Sequence, residues 1–193
     1  MNVTNLEKFL QELNGSGKEK MDGYTLSYFD NMTDVEKNHA FDLLSQELQS
    51  SSVAIDPMFY INKSEACSIF EAKYLTEKEV GQVNFYLVAK LWSCNRSDIY
   101  AEAFEKCYNS ISEYSLIAYI NDASTIDHRK SKEVLVKIIL DSDKGHVRRH
   151  AAKALVLKTK ITDEVEKRQF VNSVVVDNRQ DRKLALENRI INH

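Results

Sequence analysis

Proline is nearly absent from this chain of 193 residues, which has one, Pro57, together with only five glycines. So little of either rules out a proline-rich scaffold, a collagen-like repeat or a long flexible linker. Long apolar runs are missing too: Phe85 to Ala89 and Val134 to Leu140 are among the longest, and lysines bound or break them. Both fall far below the roughly 20 residues that a bilayer span needs, so no membrane segment is expected. The stretch Met1 to Glu7 lacks the basic region, apolar region and small-residue cleavage site of a secretory signal, which points to the cytosol. Cysteine is scarce, and Cys67, Cys94 and Cys107 have spacings that fit neither a disulfide framework nor a CxxC-type metal site. All three are expected as small apolar residues in helix packing.

What is present is enough for a core. Of the residues, 43% are hydrophobic and 28% charged, a balance suited to one globular domain over residues 1–193 or to a short array of helical repeats. The net charge of −3 hides a polarity. Residues 1–127 hold 10 Lys+Arg against 20 Asp+Glu, whereas residues 128–193 hold 16 against 9. An acidic portion and a basic portion follow, and such a field can steer a charged partner to one end.

Periodicity is helical almost throughout, so an all-α fold of about ten helices is expected. A first helix over Val3 to Leu13 should stop at Gly15 and Gly17, leaving a loop to Gly23. Strand-like alternation is confined to Tyr24 to Phe29. Thr33 with Glu36 forms a capping box before Phe41, Leu44 and Leu48, and this helix should end near Gln49. Asp56 before Pro57 marks the start of a helix or broken helix that runs to Tyr74. Thr76 with Glu79 makes a second box, opening a helix with Val80, Val83, Leu87 and Leu91 on one stripe and Trp92 beside it. Ser97 should cap a helix carrying Ile99, Ala103, Phe104, Cys107 and Ile111, followed by a short helix over Ser112 to Asn121.

The last third is the most regular. Leu135, Ile138 and Ile139 face inward from one helix, and Val147, Ala151, Ala154 and Leu155 from the next, across the turn Asp141 to Gly145. A further helix carries Phe170, Val171, Val174 and Val175. After the turn Asp177-Asn178, Arg182, Lys183, Ala185 and Ile190 fall 34 residues beyond Arg148, Arg149, Ala151 and Val156. Helix pairs at a fixed offset are the signature of an α-solenoid.

Asp143-Lys144-Gly145-His146-Val147-Arg148-Arg149-His150-Ala151-Ala152-Lys153-Ala154-Leu155 resembles the inter-helix turn and second helix of a HEAT repeat, with Asp in the turn, Val-Arg on the first helical turn and small residues before a Leu. The resemblance covers about 13 residues well and Asp177 to Ile190 loosely. It implies a HEAT-like or armadillo-like α-solenoid, in which the arginine bonds turn groups or acids of the adjacent repeat. An irregular helical bundle is the alternative architecture.

Motifs of catalysis are missing. The glycines at 15, 17, 23, 81 and 145 make no dinucleotide or phosphate loop, and GxSxG and HExxH do not occur. His146 and His150 share a helix face at a spacing usable by zinc, but Arg148 and Arg149 lie between them and no third ligand is at hand. No catalytic residue, metal or cofactor is therefore expected, and binding of another protein is the leading expectation: an adaptor, an inhibitor or a bacterial toxin-immunity protein. A basic partner would meet the acidic portion through Glu65, Glu71, Glu79 and Trp92. The alternative is nucleic-acid binding by the basic cluster Arg129, Lys130, Lys132, Arg148, Arg149, Lys153, Lys158 and Lys160, with Arg149, Lys153 and Lys158 as the leading contacts. HEAT-like enzymes that remove alkylated bases from DNA are its precedent by resemblance.

Overall fold

The computed structural model describes residues 3–15, 23–159 and 161–190, and every regular element among them is helical. In chain order the helices are α1 Asn5–Asn14, α2 Ser27–Asp30, α3 Asp34–Glu47, α4 Ile55–Ile61, α5 Lys63–Glu79, α6 Phe85–Asn95, α7 Asp98–Cys107, α8 Leu116–Thr125, α9 Arg129–Asp141, α10 Gly145–Val156, α11 Glu164–Val174 and α12 Arg179–Ile190. Turns of 3-10 helix occupy Ser52–Ala54, Tyr108–Ser110 and Glu113–Ser115. The all-α expectation holds. The loop expected between Gly15 and Gly23 lies, at 16–22, outside the described residues. Tyr24 to Phe29 forms no strand, and its end belongs to α2.

Caps set the boundaries where the sequence supplies them. At α1 the Thr4 hydroxyl accepts the Glu7 amide at 3.2 Å while the Glu7 carboxylate accepts the Thr4 amide at 2.7 Å. The box at α3 repeats this with Thr33 and Glu36, at 3.3 and 2.8 Å. These bonds hold the Glu36 carboxyl below its ordinary range. The second expected box fails. Thr76 lies inside α5, where its hydroxyl donates to the Ala72 carbonyl at 3.2 Å. T-x-x-E is also a pattern that an ongoing helix tolerates, and here the stop comes later, where Gly81 takes φ 72°, a conformation glycine adopts without a Cβ penalty. The next helix starts at Phe85, with the Asn84 side chain accepting the Tyr86 amide at 2.9 Å. Val80 is left exposed, and the expected stripe survives only in the buried Leu87 and Leu91. In α7 the expected Phe104 and Cys107 are buried, Tyr100 and Ala101 join them, and Ile99 is exposed.

The chain divides into two compact units, Met1–Cys94 and Asn95–His193. In the first, α1 packs on α2 and α3, α3 on α4, and α4 on α5. Its core is rich in aromatics: Phe9 lies 5.4 Å, ring to ring, from both Tyr24 and Phe29. Cys67 of α5 and Cys94 of α6 form a disulfide, which corrects the expectation that they are thiols used in packing; Cys107 is buried and stands outside any disulfide. Spacing could not reveal the bond, because 27 residues of helix, turn and helix bring the two Cα atoms back to 6.0 Å. Lys90 of α6 adds a tie to α4, reaching Asp56 at 2.6 Å and lying 5.3 Å from the Phe59 ring.

In the second unit α9 is central and touches α7, α8, α10 and α12. Phe104 stacks on Tyr119 at 4.3 Å, and the Tyr119 hydroxyl donates to the Phe104 carbonyl at 2.8 Å. Helices α9–α10 and α11–α12 make two helix pairs with buried arginines at matching positions, Arg148 and Arg182, 34 residues apart. Arg148 donates to the Ser142 and Asp143 carbonyls of its own turn at 3.1 and 2.9 Å. Arg182 donates to the matching Val176 and Asp177 carbonyls at 2.8 and 2.6 Å. Each then reaches the other pair: Arg148 to the Val175 carbonyl and Asp177 carboxylate at 2.8 and 2.7 Å, Arg182 to the Leu140 carbonyl at 2.8 Å. A planar fork with five donors suits this double duty, since one guanidinium can serve two turns.

Candidate functional site

Helix α10 has two working faces. Val147, Ala151 and Leu155 are buried, and the alanines allow close approach of neighbouring helices. A second face, Arg149, Lys153, Val156 and Leu157, recurs at helical spacing and borders a groove shared with α11. From α11 come Glu164, Lys167, Arg168, Val171 and Asn172, again one face of a helix. The hollow between them measures 560 Å³.

Its chemistry is mixed in an ordered way. Val156 and Val171 are buried at its base, while Leu157 at one end is 75% exposed. Four cations stand around this apolar floor. Glu164 neutralises Lys167 at 2.7 Å. Among the described residues, Arg149, Lys153 and Arg168 have no carboxylate partner. These three cations beside methyl groups are an arrangement that can hold an anionic group next to apolar surface. Two other hollows differ. One of 430 Å³ in the first unit has Asp56 as its charged group, already paired with Lys90. Another, of 340 Å³, mixes Glu105 and Glu133 with Lys106 and Lys137.

Of the described residues in the basic cluster expected from sequence, only Arg149 and Lys153 line the groove. Lys158 turns inward, donating to the Ile126 carbonyl at 2.6 Å, and burial pushes its pKa down to about 8. Lys158 is therefore a structural contact and no free phosphate ligand. Arg148 is consumed by the inter-helix turns. Arg129 pairs with Glu133 at 2.6 Å and Lys130 with Glu105 at 3.0 Å. Lys160 lies outside the described residues. Lys167 and Arg168 were missed because they fall beyond the densest run of positive charge. The signal that could have found them is their place on α11, the next helix after Arg149 and Lys153.

The acidic candidates do not converge. Glu65, Glu71 and Glu79 are all exposed on α5, and Glu65 and Glu79 are separated by about 21 Å of helix. Glu71 points well away from both around the axis, and Glu65 already accepts from the Asn62 side-chain amide at 2.9 Å. Trp92 is buried and presents no ring to a partner, a correction that follows from the wide apolar surface of α6. His146 and His150 are exposed on α10, and among the described residues no cluster of three His, Cys, Asp or Glu side chains could hold a metal ion. No helix among them is long and apolar enough to cross a membrane. Comparison with models of known protein families, with curated proteins and with solved structures finds no match for this chain.

Proposed function

We propose that the protein is a non-enzymatic, cofactor-free binding module that grips another protein through the groove between α10 and α11. The observation that carries this reading is the row of cations without a carboxylate partner among the described residues, Arg149, Lys153 and Arg168, beside an apolar floor. Its partner presents an acidic surface at that point, opposite in sign to the basic partner that the acidic portion of the sequence suggested. Adaptor and inhibitor roles both fit such a groove. A toxin-immunity role with a basic toxin draws support only from the negative charge of the first unit.

The repeat reading belongs with this proposal. The matched bonds of Arg148 and Arg182 support a HEAT-like relation between the pairs α9–α10 and α11–α12, and stacked pairs of that kind provide binding surfaces. A cytosolic location would require that the Cys67–Cys94 bond withstand a reducing pool. Nucleic-acid binding is the second reading, favoured by the same cations and disfavoured by an apolar floor with no aromatic ring for stacking.

In-cell crosslinking followed by mass spectrometry tests the proposal. The wild-type chain should yield one stoichiometric protein partner that survives nuclease treatment and is lost in the variant Arg149→Glu/Lys153→Glu/Arg168→Glu. A partner indifferent to that variant, or one released by nuclease, would overturn it.

A further inference from the structure

We infer that the ligand of the α10–α11 groove is an amphipathic acidic helix of about three turns, with carboxylates along both edges and aliphatic side chains on the face between them. The inference rests on the binding reading above and names the chemistry of the partner segment.

Three features of the groove select this ligand. Its walls are helices, whose backbone amides are used within the helices themselves, so an extended peptide would find no main-chain ladder to join. A helical ligand satisfies its own backbone and needs only side-chain contacts. A polyproline segment or a single nucleic-acid strand would need aromatic surfaces, and none of the described lining residues is aromatic.

The third feature is register. Arg149 and Lys153 are four residues apart on α10, an advance of about 6 Å, which is the advance between carboxylates four residues apart on an incoming helix. Arg168 stands on the other wall, so the positive charge lies on both sides of the floor and meets acids on both edges of the ligand. Between these edges Val156, Val171 and the exposed Leu157 offer the apolar surface that a stripe of Leu or Ile would cover. The length also fits. Helix α11 has 11 residues, about 16 Å of axis, and sets the span at about three turns.

The test measures fluorescence anisotropy of labelled synthetic peptides with the full chain. One peptide carries Glu pairs four residues apart and Leu on a single helical face; a second has the same composition with the leucines spread around the helix; a third places proline at the centre of the first. A single-stranded DNA oligonucleotide completes the set. The first peptide should bind, weaken steeply between 50 and 300 mM salt, lose about tenfold in affinity with Leu157→Asp, and lose all binding to Arg149→Glu/Lys153→Glu/Arg168→Glu. The second and third should bind at least tenfold more weakly.

Equal binding of all three peptides would overturn the helical ligand and leave the protein-binding groove standing, provided that the charge-reversed variant still fails to bind. Failure of every peptide, while the crosslinked cellular partner still depends on the groove cations, would have the same meaning. Tighter binding of the oligonucleotide than of any peptide would overturn both. All four substituted side chains are exposed, and circular dichroism with thermal melting checks that the variants fold.

Discussion

In Met1–Cys94 the helices are joined by ring contacts around Phe9 and by one covalent link, Cys67–Cys94; in Asn95–His193 the corresponding work is done by guanidinium forks that bond the backbone of two turns at once. The first kind of tie has no period. Rings fill whatever space the helices leave, and a disulfide joins any two positions that come close enough. The second kind is tied to a turn of fixed geometry, so it recurs when the turn recurs, at Arg148 and Arg182. Charge divides along the same line: the first unit holds 8 Lys+Arg against 14 Asp+Glu, the second 18 against 15. The candidate binding groove falls in the unit where cations were already in use as structural parts.

The strongest way to break this contrast is to remove one fork. Arg148→Met leaves the Ser142, Asp143 and Val175 carbonyls without their donor and should cost about 3 to 5 kcal/mol. Hydrogen exchange should show the loss in α9 to α12 and spare the first unit. Removing the disulfide should do the reverse. Cys67→Ser/Cys94→Ser opens a loop with a sequence separation of 27 and should cost about 3 to 4 kcal/mol by chain entropy, read as a lower denaturation midpoint for the first unit and as loss of its sensitivity to reductant.

Within the second unit, Tyr119→Phe keeps the stack on Phe104 but removes the bond to its carbonyl, for about 1 to 2 kcal/mol in urea denaturation. The pH dependence of stability sharpens the account of Lys158. Its pKa is lowered in the folded chain, to about 8, so the unfolded chain binds more protons between that value and the ordinary lysine range. The folded state carries the whole desolvation penalty below pH 8, and stability should rise as pH climbs from 8 toward 10. Comparing wild type with Lys158→Met over that range should show the rise only in the wild type.

Legibility in the sequence followed the same division. The turn Asp141 to Gly145, the inward residues of α9 and α10, and the 34-residue offset of the arginines were readable because helix period, turn chemistry and repeat all agree there. Thr76 and Glu79 misled because a cap motif has the same letters as a helix interior, and only the chain's exit at Gly81 decides between them. Ile99, grouped in the sequence with Phe104 and Cys107, lies five residues before Phe104, about 140° around the helix axis, and is exposed. For the site, Arg149 and Lys153 were visible as charge. The groove itself was not, because Lys167, Arg168 and Val171 join them only through the packing of α10 on α11.

The fork of Arg148 also acts on the groove as a mechanical part. It fastens the first turn of α10 to Val175 and Asp177, just past the end of α11, while the short chain from Leu157 to Asp163 joins the opposite ends of the same two helices. The first turn of α10 is thus pinned to the end of α11, which sets the spacing of the two walls there before any ligand arrives. A ligand meets a gauge of fixed width and has little wall movement to induce, so little ordering cost is added on binding and discrimination falls on the volume of the side chains it inserts.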